Sequence, residues 1–210
     1  MNTENFEYLI KIVMVGDSGV GKTNLLSRYV RNEFNLDTKG TIGVDFSTKY
    51  IKINETDLKI QLWDTAGQEK YRSIIKSYYS NSNGFVLVFD VTRRSTFENL
   101  EKWISILREY ANKDVVLIIV GNKIDLEENR EVSSTEAHLI AETNKCFYIE
   151  TSAKLNTNNF VQEAFDLLIN ECYRITNQNR ETLINDEISN LQKNKTDLSE
   201  KKQSMFKKCC

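Results

Sequence analysis

The sequence predicts an α/β fold in which a doubly wound, mostly parallel sheet of six strands carries helices on both faces. Two observations predict it. Short, strongly apolar segments of strand length alternate with longer segments in which apolar residues recur at helical spacing. In addition, the glycine-rich and polar motifs follow directly after predicted strands, which is where the ligand sites of parallel sheets lie.

The strands are predicted from apolar runs that are rich in β-branched residues. Residues 115–121 are continuously apolar, as a central parallel strand is. Residues 44–53 and 58–64 are separated only by a turn at 54–57, which is too short for a crossover, so this pair is predicted to be antiparallel. The predicted strands are residues 8–15, 44–53, 58–64, 84–90, 115–121 and 146–151.

The helices are predicted from apolar residues that recur every three or four positions. For the helix at 95–111 we expect Ser95 to be the N-cap. For the helix at 134–143, residues 134–137 give a weak start signal. The predicted helices are residues 23–32, 71–80, 95–111, 134–143 and 158–175.

Composition divides the chain into a domain at 1–176 and a tail at 177–210. Polar and charged residues dominate from about residue 177, which favours a flexible tail, although Ile184, Ile188 and Leu191 could line a short helix. With 40% hydrophobic and 28% charged residues, the whole chain is typical of a globular protein. Its net charge of -2 argues against a generic nucleic-acid-binding protein, so no nucleic-acid partner is expected.

The loop after the first strand fits the pattern G-x-x-x-x-G-K-[ST] at Gly16, Gly21, Lys22 and Thr23. Its glycines let backbone N–H groups surround phosphate oxygens, and the helix N-terminus adds partial positive charge. Lys22 would place its ammonium near the β- and γ-phosphates, and the Thr23 hydroxyl can ligate Mg²⁺. The alternative is a glycine-rich turn that binds nothing, and the strand–loop–helix context disfavours it.

Asp64 lies at the end of the third predicted strand, where a carboxylate can help to hold Mg²⁺ through a bound water. The N–H of Gly67 can reach a γ-phosphate, and Gln68 is placed to orient an attacking water. Thr41 can complete the Mg²⁺ coordination only when a γ-phosphate draws its loop in. Taken alone, the D-x-x-G pattern could equally be a plain turn.

Asn122, Lys123 and Asp125 follow the fifth strand. The Asp125 carboxylate can accept from both the ring N–H and the exocyclic amine of guanine, a pair that adenine does not offer. The stem of Lys123 can pack over the base. After the sixth strand, the N–H of Ala153 can reach the guanine carbonyl oxygen and Lys154 can lie alongside. These motifs together predict a guanine-nucleotide site.

In this order and spacing the five motifs resemble those of the Ras-like small GTPases. Residues 42–46, 63–69 and 71–74 resemble the Rab branch, and residues 24–36 are most similar to its recycling-endosome subgroup. The resemblance implies the P-loop small GTPase fold, with GTP or GDP and Mg²⁺ bound. It implies hydrolysis of GTP to GDP and phosphate at roughly 10⁻⁴ s⁻¹, accelerated about 10⁵-fold by an activating protein, with Gln68 as the catalytic residue. Phe34 would pack edge-on against the guanine, and the metal ligands would be Thr23, Thr41 and Asp64.

The full set of nucleotide-contacting residues that the motifs and the resemblance imply is Ser18, Gly19, Val20, Gly21, Lys22, Thr23, Asn24, Phe34, Asn35, Thr41, Gly67, Asn122, Lys123, Asp125, Ser152, Ala153 and Lys154.

The resemblance also implies partners: a guanine nucleotide exchange factor, a GTPase-activating protein, Rab effectors, a GDP dissociation inhibitor and a prenyltransferase escort. The effector surface that it implies comprises Ile42, Gly43, Val44, Asp45, Phe46, Trp63 and Tyr78. The aromatic members of this set could equally be core residues.

The chain ends in Cys209 and Cys210, and by resemblance this pair implies geranylgeranylation of both cysteines; two idle thiols are the alternative. Two lipid chains anchor a protein stably. Residues 193–208 carry a charge of +4, which favours an anionic cytosolic leaflet, although a merely solvated tail would carry the same lysines. The expected location is the cytosol and the cytoplasmic face of endosomal, Golgi or vesicle membranes.

Three classes of function remain open at this stage. The leading one is a GTP-driven membrane-traffic switch. A P-loop kinase or ATPase is disfavoured by Asn122 and Asp125, and a nucleotide-locked scaffold that never turns over is disfavoured by Gln68 and Asp64.

Overall fold

The computed structural model describes residues 6–37, 40–41, 43–67, 78–155 and 159–207, and at residue 184 and beyond residue 185 it describes only the backbone. Residues 1–173 and 174–210 form two separate compact units. In the part that the structure describes, no helix is both long and apolar enough to cross a bilayer.

The sheet of the first unit has six strands in the order β2-β3-β1-β4-β5-β6. The β2–β3 pair is antiparallel and all the other neighbours are parallel, and helices surround the sheet, so the expected fold class is confirmed. The strands are β1 (Tyr8–Val15), β2 (Val44–Ile53), β3 (Thr56–Thr65), β4 (Gly84–Asp90), β5 (Val116–Asn122) and β6 (Phe147–Thr151).

The connection between β2 and β3 is shorter than the four-residue turn expected at 54–57. Only Asn54 and Glu55 lie outside the strands, with φ of 48° and 66°. Two consecutive left-handed residues make a turn whose twist matches that of the flanking strands. The ladder therefore extends to the Ile53–Thr56 pair, and the prediction of a longer turn is wrong.

The described helices are α1 (Lys22–Arg31), α2 (Arg94–Glu98), α3 (Leu100–Tyr110), α4 (Ser134–Asn144) and α5 (Phe160–Lys207), with a 3₁₀ helix at Ile124–Asn129 that the sequence did not predict. Helix α1 packs Tyr29 face to face on Phe165 of α5, with ring centroids 4.1 Å apart. Of the helix predicted at 71–80, residues 78–79 are helical and residues 71–77 lie outside the described residues.

The single helix predicted at 95–111 is wrong, because the segment forms two helices that meet at Asn99. The side-chain amide of Asn99 donates to the Asp17 carboxylate at 2.7 Å, which holds the chain at this point. Ser95 is not the N-cap, because α2 begins at Arg94 and is capped by Arg93.

Helix α4 begins at Ser134, directly after its N-cap residue, Ser133. Ser133 and Glu136 form a reciprocal capping box, in which the Ser133 hydroxyl accepts from the Glu136 N–H and the Glu136 carboxylate accepts from the Ser133 N–H. The predicted helix at 134–143 is confirmed within one residue, whereas the start signal assigned to 134–137 belongs to 133–136.

The backbone of residues 177–207 is helical, and the flexible character expected of this tail stays a prediction. Residues 160–207 contain no glycine and no proline, so no residue in this segment breaks a helix. The boundary at 176 between a domain and a tail stays a prediction.

Candidate functional site

A cavity of about 430 Å³ lies where strands β1, β3, β5 and β6 end. Most of the residues predicted to contact a ligand line it. These are Ser18, Gly19, Gly21, Lys22, Thr23, Asn24, Phe34, Thr41, Gly67, Asn122, Lys123, Asp125, Ala153 and Lys154.

The loop after β1 presents the beginning of α1 to this cavity. Gly21 is the N-cap of α1, with φ of 100°, and no side chain caps the first N–H groups of the helix. A Cβ at Gly21 would collide with the Asn122 side chain, so both the backbone conformation and the available space require glycine here. The uncapped N–H groups and the helix dipole favour an anion.

Lys22 is almost completely buried, with 6% of its surface exposed. Its ammonium donates to the carbonyl oxygens of Gly16 and Asp17, both at 2.8 Å. Burial lowers the pKa of Lys22 to about 8, against the opposing effect of the nearby carboxylates Asp64 and Asp17, while Arg93 lowers it further. A phosphate in the cavity would supply the negative charge that favours the ammonium form.

Thr23, Thr41 and Asp64 bring three side-chain oxygens together. The Thr23 hydroxyl donates to Asp64 Oδ2 at 2.5 Å, and the two threonine hydroxyls lie 2.9 Å apart. Burial raises the pKa of Asp64, and the hydrogen bond from Thr23 and the charge of Lys22 lower it. Asp64 Oδ1 is buried and has no hydrogen-bond partner among the described residues.

This oxygen cluster fits Mg²⁺. The ion takes six oxygens at about 2.1 Å, which places adjacent ligands about 3 Å apart, close to the separation of the two hydroxyls. The orphaned Asp64 oxygen can accept from a metal-bound water. Three or more His, Cys, Asp or Glu side chains do not cluster anywhere in the described residues, so the hydroxyl-based donor set is the candidate.

Asn122 ties together the loops on the opposite side of the cavity. Its buried amide donates to the Val20 carbonyl at 2.8 Å, and its amide oxygen accepts from the Ala153 N–H at 3.2 Å. Thr151 lies 3.4 Å from the same oxygen. Asn122 therefore joins the phosphate loop to the loops after β5 and β6.

The orientation of the Asp125 carboxylate is fixed by its neighbours. Its Oδ1 accepts from the Ser152 hydroxyl at 2.6 Å, and Oδ2 lies 3.8 Å from the Lys154 ammonium. The Ser152 hydroxyl in turn accepts from the N–H groups of Lys154 and Leu155. The carboxylate is thus fixed at the cavity wall, where it can accept two donors from a ligand.

Three residues predicted to contact the nucleotide do not line the cavity, namely Val20, Asn35 and Ser152, and neither does the predicted metal ligand Asp64. Val20 is fully buried and Ser152 orients Asp125. Asn35 exchanges two hydrogen bonds with Asn24, at 2.9 and 3.2 Å, and so joins α1 to the loop that carries Phe34.

Several residues of the site were missed from the sequence. Leu36, Gly40 and Leu126 also line the cavity. The guanidinium of Arg28 donates to the Ala153 carbonyl at 2.9 Å. Asp90 lies 2.6 Å from the Lys123 ammonium, and it could have been found because, like Asp64 and Asn122, it is a polar residue at the end of a buried strand.

Phe46, Trp63 and Tyr78 form a continuous aromatic cluster, with centroid separations of 4.8 and 5.0 Å. The ammonium of Lys11 lies over the Trp63 and Tyr78 rings. Phe46 is 44% exposed, and the buried Nε1 of Trp63 has no hydrogen-bond partner among the described residues. The cluster is thus partly a surface feature rather than wholly core.

Some of the predicted residues lie outside the described residues. These are Ile42, Gln68, Cys209 and Cys210. Their assignments stay predictions.

A family model described as the Ras family matches residues 11–174, which include every described residue that lines the cavity.

Proposed function

This chain belongs to the Ras family of small GTPases, and on that premise we propose that it binds GTP and Mg²⁺ in the cavity, hydrolyses GTP to GDP and phosphate, and changes its surface when the γ-phosphate leaves. The observation that carries the proposal is the meeting of Thr23, Thr41 and Asp64 beside the buried Lys22. A cation-binding oxygen cluster next to a buried ammonium is suited to a charged phosphate chain with its metal ion.

The phosphate side of the site acts by positioning and charge. Uncapped N–H groups at the start of α1 and the Lys22 ammonium bind phosphate oxygens. Thr23 and Thr41 would hold the ion directly, and Asp64 would hold it through water, since their side-chain oxygens meet at this point. When bound, Mg²⁺ would neutralise the negative charge that develops on the phosphate oxygens.

The base side of the site selects guanine. Asp125 accepts the ring N–H and the exocyclic amine, while its position is fixed by Ser152. Phe34 and the stem of Lys123, which both line the cavity, pack on the base. Adenine would leave the Asp125 carboxylate, whose side chain is only 10% exposed, without its donors, which is the physical basis of the selectivity.

Two segments respond to the γ-phosphate. Thr41 lies 3.5 Å from Asp64 on the segment before β2, and Gly67 lies against the phosphate loop. Holding a γ-phosphate through the Thr41 hydroxyl and the Gly67 N–H would order both segments, and hydrolysis would release them. Gln68, which directly follows Gly67, orients the attacking water.

Nucleotide competition tests the proposal against a kinase or an ATPase. Displacement of a fluorescent GDP analogue should require far less GTP or GDP than ATP or ADP. Equal displacement by adenine nucleotides would overturn the assignment of Asp125.

Single-turnover hydrolysis tests the proposal against a scaffold that never turns over. GTP should be converted slowly to GDP, and Gln68→Leu should lower turnover, with and without an activating protein, while GTP still binds. Unchanged hydrolysis in that variant would remove Gln68 from the mechanism.

We further propose that the chain acts in vesicle traffic as a member of the Rab branch. Effectors would bind to the aromatic cluster of Phe46, Trp63 and Tyr78 together with residues 42–45. Its exposed Phe46 suits a partner that contributes apolar area. Exchange factors, activating proteins and a GDP dissociation inhibitor would set its nucleotide state and location.

Anchoring would come from geranylgeranyl chains on Cys209 and Cys210, assisted by the +4 charge of residues 193–208. The chain should then divide between the cytosol and the cytoplasmic face of endosomal, Golgi or vesicle membranes. Imaging it in its own cell, and repeating this with both cysteines changed to serine, tests the anchor. Membrane association that survives the double change would overturn it.

A further inference from the structure

The turn that follows β4 is held in place by its own hydrogen bonds. The Thr92 N–H and hydroxyl donate to the Asp90 carboxylate at 3.0 and 2.7 Å. The Arg93 N–H donates to the Asp90 carbonyl at 3.0 Å, and the Arg93 carbonyl accepts from the N–H and hydroxyl of Thr96 at 3.0 and 2.8 Å. These bonds fix the backbone from which the Arg93 side chain extends.

The guanidinium of Arg93 reaches the phosphate loop. Its Nη2 donates to the Ser18 carbonyl at 2.7 Å. Its Nη1 lies 3.7 Å from the position that a Cβ on Gly19 would occupy. The guanidinium therefore lies against the peptide that joins Ser18 to Gly19.

The geometry of that peptide links Arg93 to the cavity. In a trans peptide the C=O and the following N–H point in opposite directions. Because the Ser18 carbonyl is drawn toward Arg93, the Gly19 N–H points away from Arg93, toward the cavity that both residues line. Gly19 has φ of +78°, and a glycine permits this peptide to rotate at little cost, so the bond from Arg93 determines the direction of the N–H.

Among the described residues, no carboxylate balances the charge of Arg93. Within the described part of the chain no carboxylate lies within ion-pair distance of Arg93, whereas Arg94 lies 2.7 Å from Glu136 and 3.7 Å from Glu98. An uncompensated positive charge beside the loop favours an anion in the cavity. Arg93 is exposed, so this contribution is screened by salt.

We propose that Arg93 is a positioning residue for the β-phosphate of the bound nucleotide, because it holds the Gly19 N–H toward that phosphate and adds positive charge beside it. The consequence is slower release of a nucleoside diphosphate. This inference rests on the proposed function, since it places a nucleoside diphosphate in the cavity.

The test compares Arg93→Gln with a control variant, Arg94→Gln. The control removes the same charge at the next residue, where the arginine pairs with acidic side chains on α2 and α4 and, within the described residues, makes no hydrogen bond to the phosphate loop. Dissociation of fluorescent GDP should be about tenfold faster in Arg93→Gln than in wild type, as expected for the loss of a hydrogen bond from a charged donor. Arg94→Gln should release GDP at the wild-type rate. Arg93→Lys, which keeps the charge, should restore part of the loss.

Two further measurements separate positioning from general destabilisation. The affinity for GDP should fall in Arg93→Gln while that for GMP, which lacks the β-phosphate, changes little, and the GDP effect should shrink as salt is raised. Equal GDP release in Arg93→Gln and Arg94→Gln, or equal losses of GDP and GMP affinity, would overturn the inference alone. Wild-type protein that does not prefer GDP to ADP would overturn the proposed function as well.

Discussion

The Asp90 carboxylate lies 2.6 Å from the Lys123 ammonium, and 4% of the Asp90 side chain is exposed. Lys123 has a left-handed backbone, with φ of 74°, and follows the last residue of β5. The ion pair therefore fixes a residue of the loop that we propose to bind the base to the end of the neighbouring strand. We infer that the orientation in which Lys123 would pack on the base depends on Asp90.

Asp90→Asn should weaken guanine-nucleotide binding. Asparagine can keep the acceptor for Thr92 but removes the charge that holds Lys123, so we expect GDP affinity to fall about ten- to a hundredfold, the equivalent of one charged hydrogen bond. Titration calorimetry with GDP measures the change. The matched control is Asp114→Asn, an exposed aspartate before β5, and the same affinity in both variants would contradict the role of Asp90.

Gly67→Ala should disturb the phosphate loop. A Cβ at Gly67 would lie 2.5 Å from both the Asp17 carbonyl oxygen and the Ser18 nitrogen, which are backbone atoms that cannot turn away. We expect the free energy of unfolding to fall by about 1–3 kcal/mol, as in other overpacked sites, and the preference for GTP over GDP to decrease. Chemical denaturation and competition binding measure the two effects.

Gly43→Ala is the control for that substitution. Gly43 has φ of +80°, and no atom lies within 4 Å of a Cβ built there, so alanine meets only the backbone cost of about 1 kcal/mol. If Gly67→Ala lowers the free energy of unfolding no more than Gly43→Ala does, steric conflict with the phosphate loop is not the reason for glycine at position 67.

The phosphate loop and the positions of the strands along the chain could be predicted because each depends on local patterns. Gly21, Lys22 and Thr23 stand in a short motif, and apolar runs locate the strands within one or two residues. The contacts that brace the loop could not be predicted in this way. Asp17 accepts hydrogen bonds from Asn99 and from Trp103, which are 82 and 86 residues away, and no local spacing relates them.

The tail shows a different limit of sequence reasoning. Few apolar residues remain beyond about residue 177, which favours flexibility, whereas the absence of glycine and proline from residues 160–207 permits the helical backbone that reaches Lys207. These two sequence features point in opposite directions, so the flexible tail stays a prediction.

The stability that Glu136 contributes should depend on pH. The hydrogen bond from Arg94, followed by those from Ser133, lowers the pKa of Glu136 from 4.5 to about 2. Between these values the unfolded chain binds the proton and the folded chain does not, so stability is lost as pH falls from about 4.5 toward 2. The difference in unfolding free energy between wild type and Glu136→Gln should therefore be largest near neutral pH and disappear toward pH 2.

Arg94→Gln provides the control for this pH dependence. Because the Arg94 hydrogen bond is the largest cause of the low pKa, the same comparison made in an Arg94→Gln background should vary less with pH. Denaturant unfolding at several pH values measures both series. A difference that stays constant from pH 6 to pH 3 would contradict the assignment.

Thr23→Asn should weaken the binding of Mg²⁺ and GTP. The Thr23 hydroxyl lies between Asp64 Oδ2 at 2.5 Å and the Thr41 hydroxyl at 2.9 Å, so an asparagine both removes a metal ligand and crowds the other two oxygens. We expect GTP affinity to fall at least tenfold and chelation of Mg²⁺ to accelerate nucleotide release much less than in wild type. Thr23→Ser, which keeps the hydroxyl, should behave as wild type. The measurement is the release rate of fluorescent GTP, made with Mg²⁺ and again with EDTA. If the Thr23→Asn protein kept both the wild-type affinity for GTP and the wild-type response to EDTA, the ion would be held elsewhere.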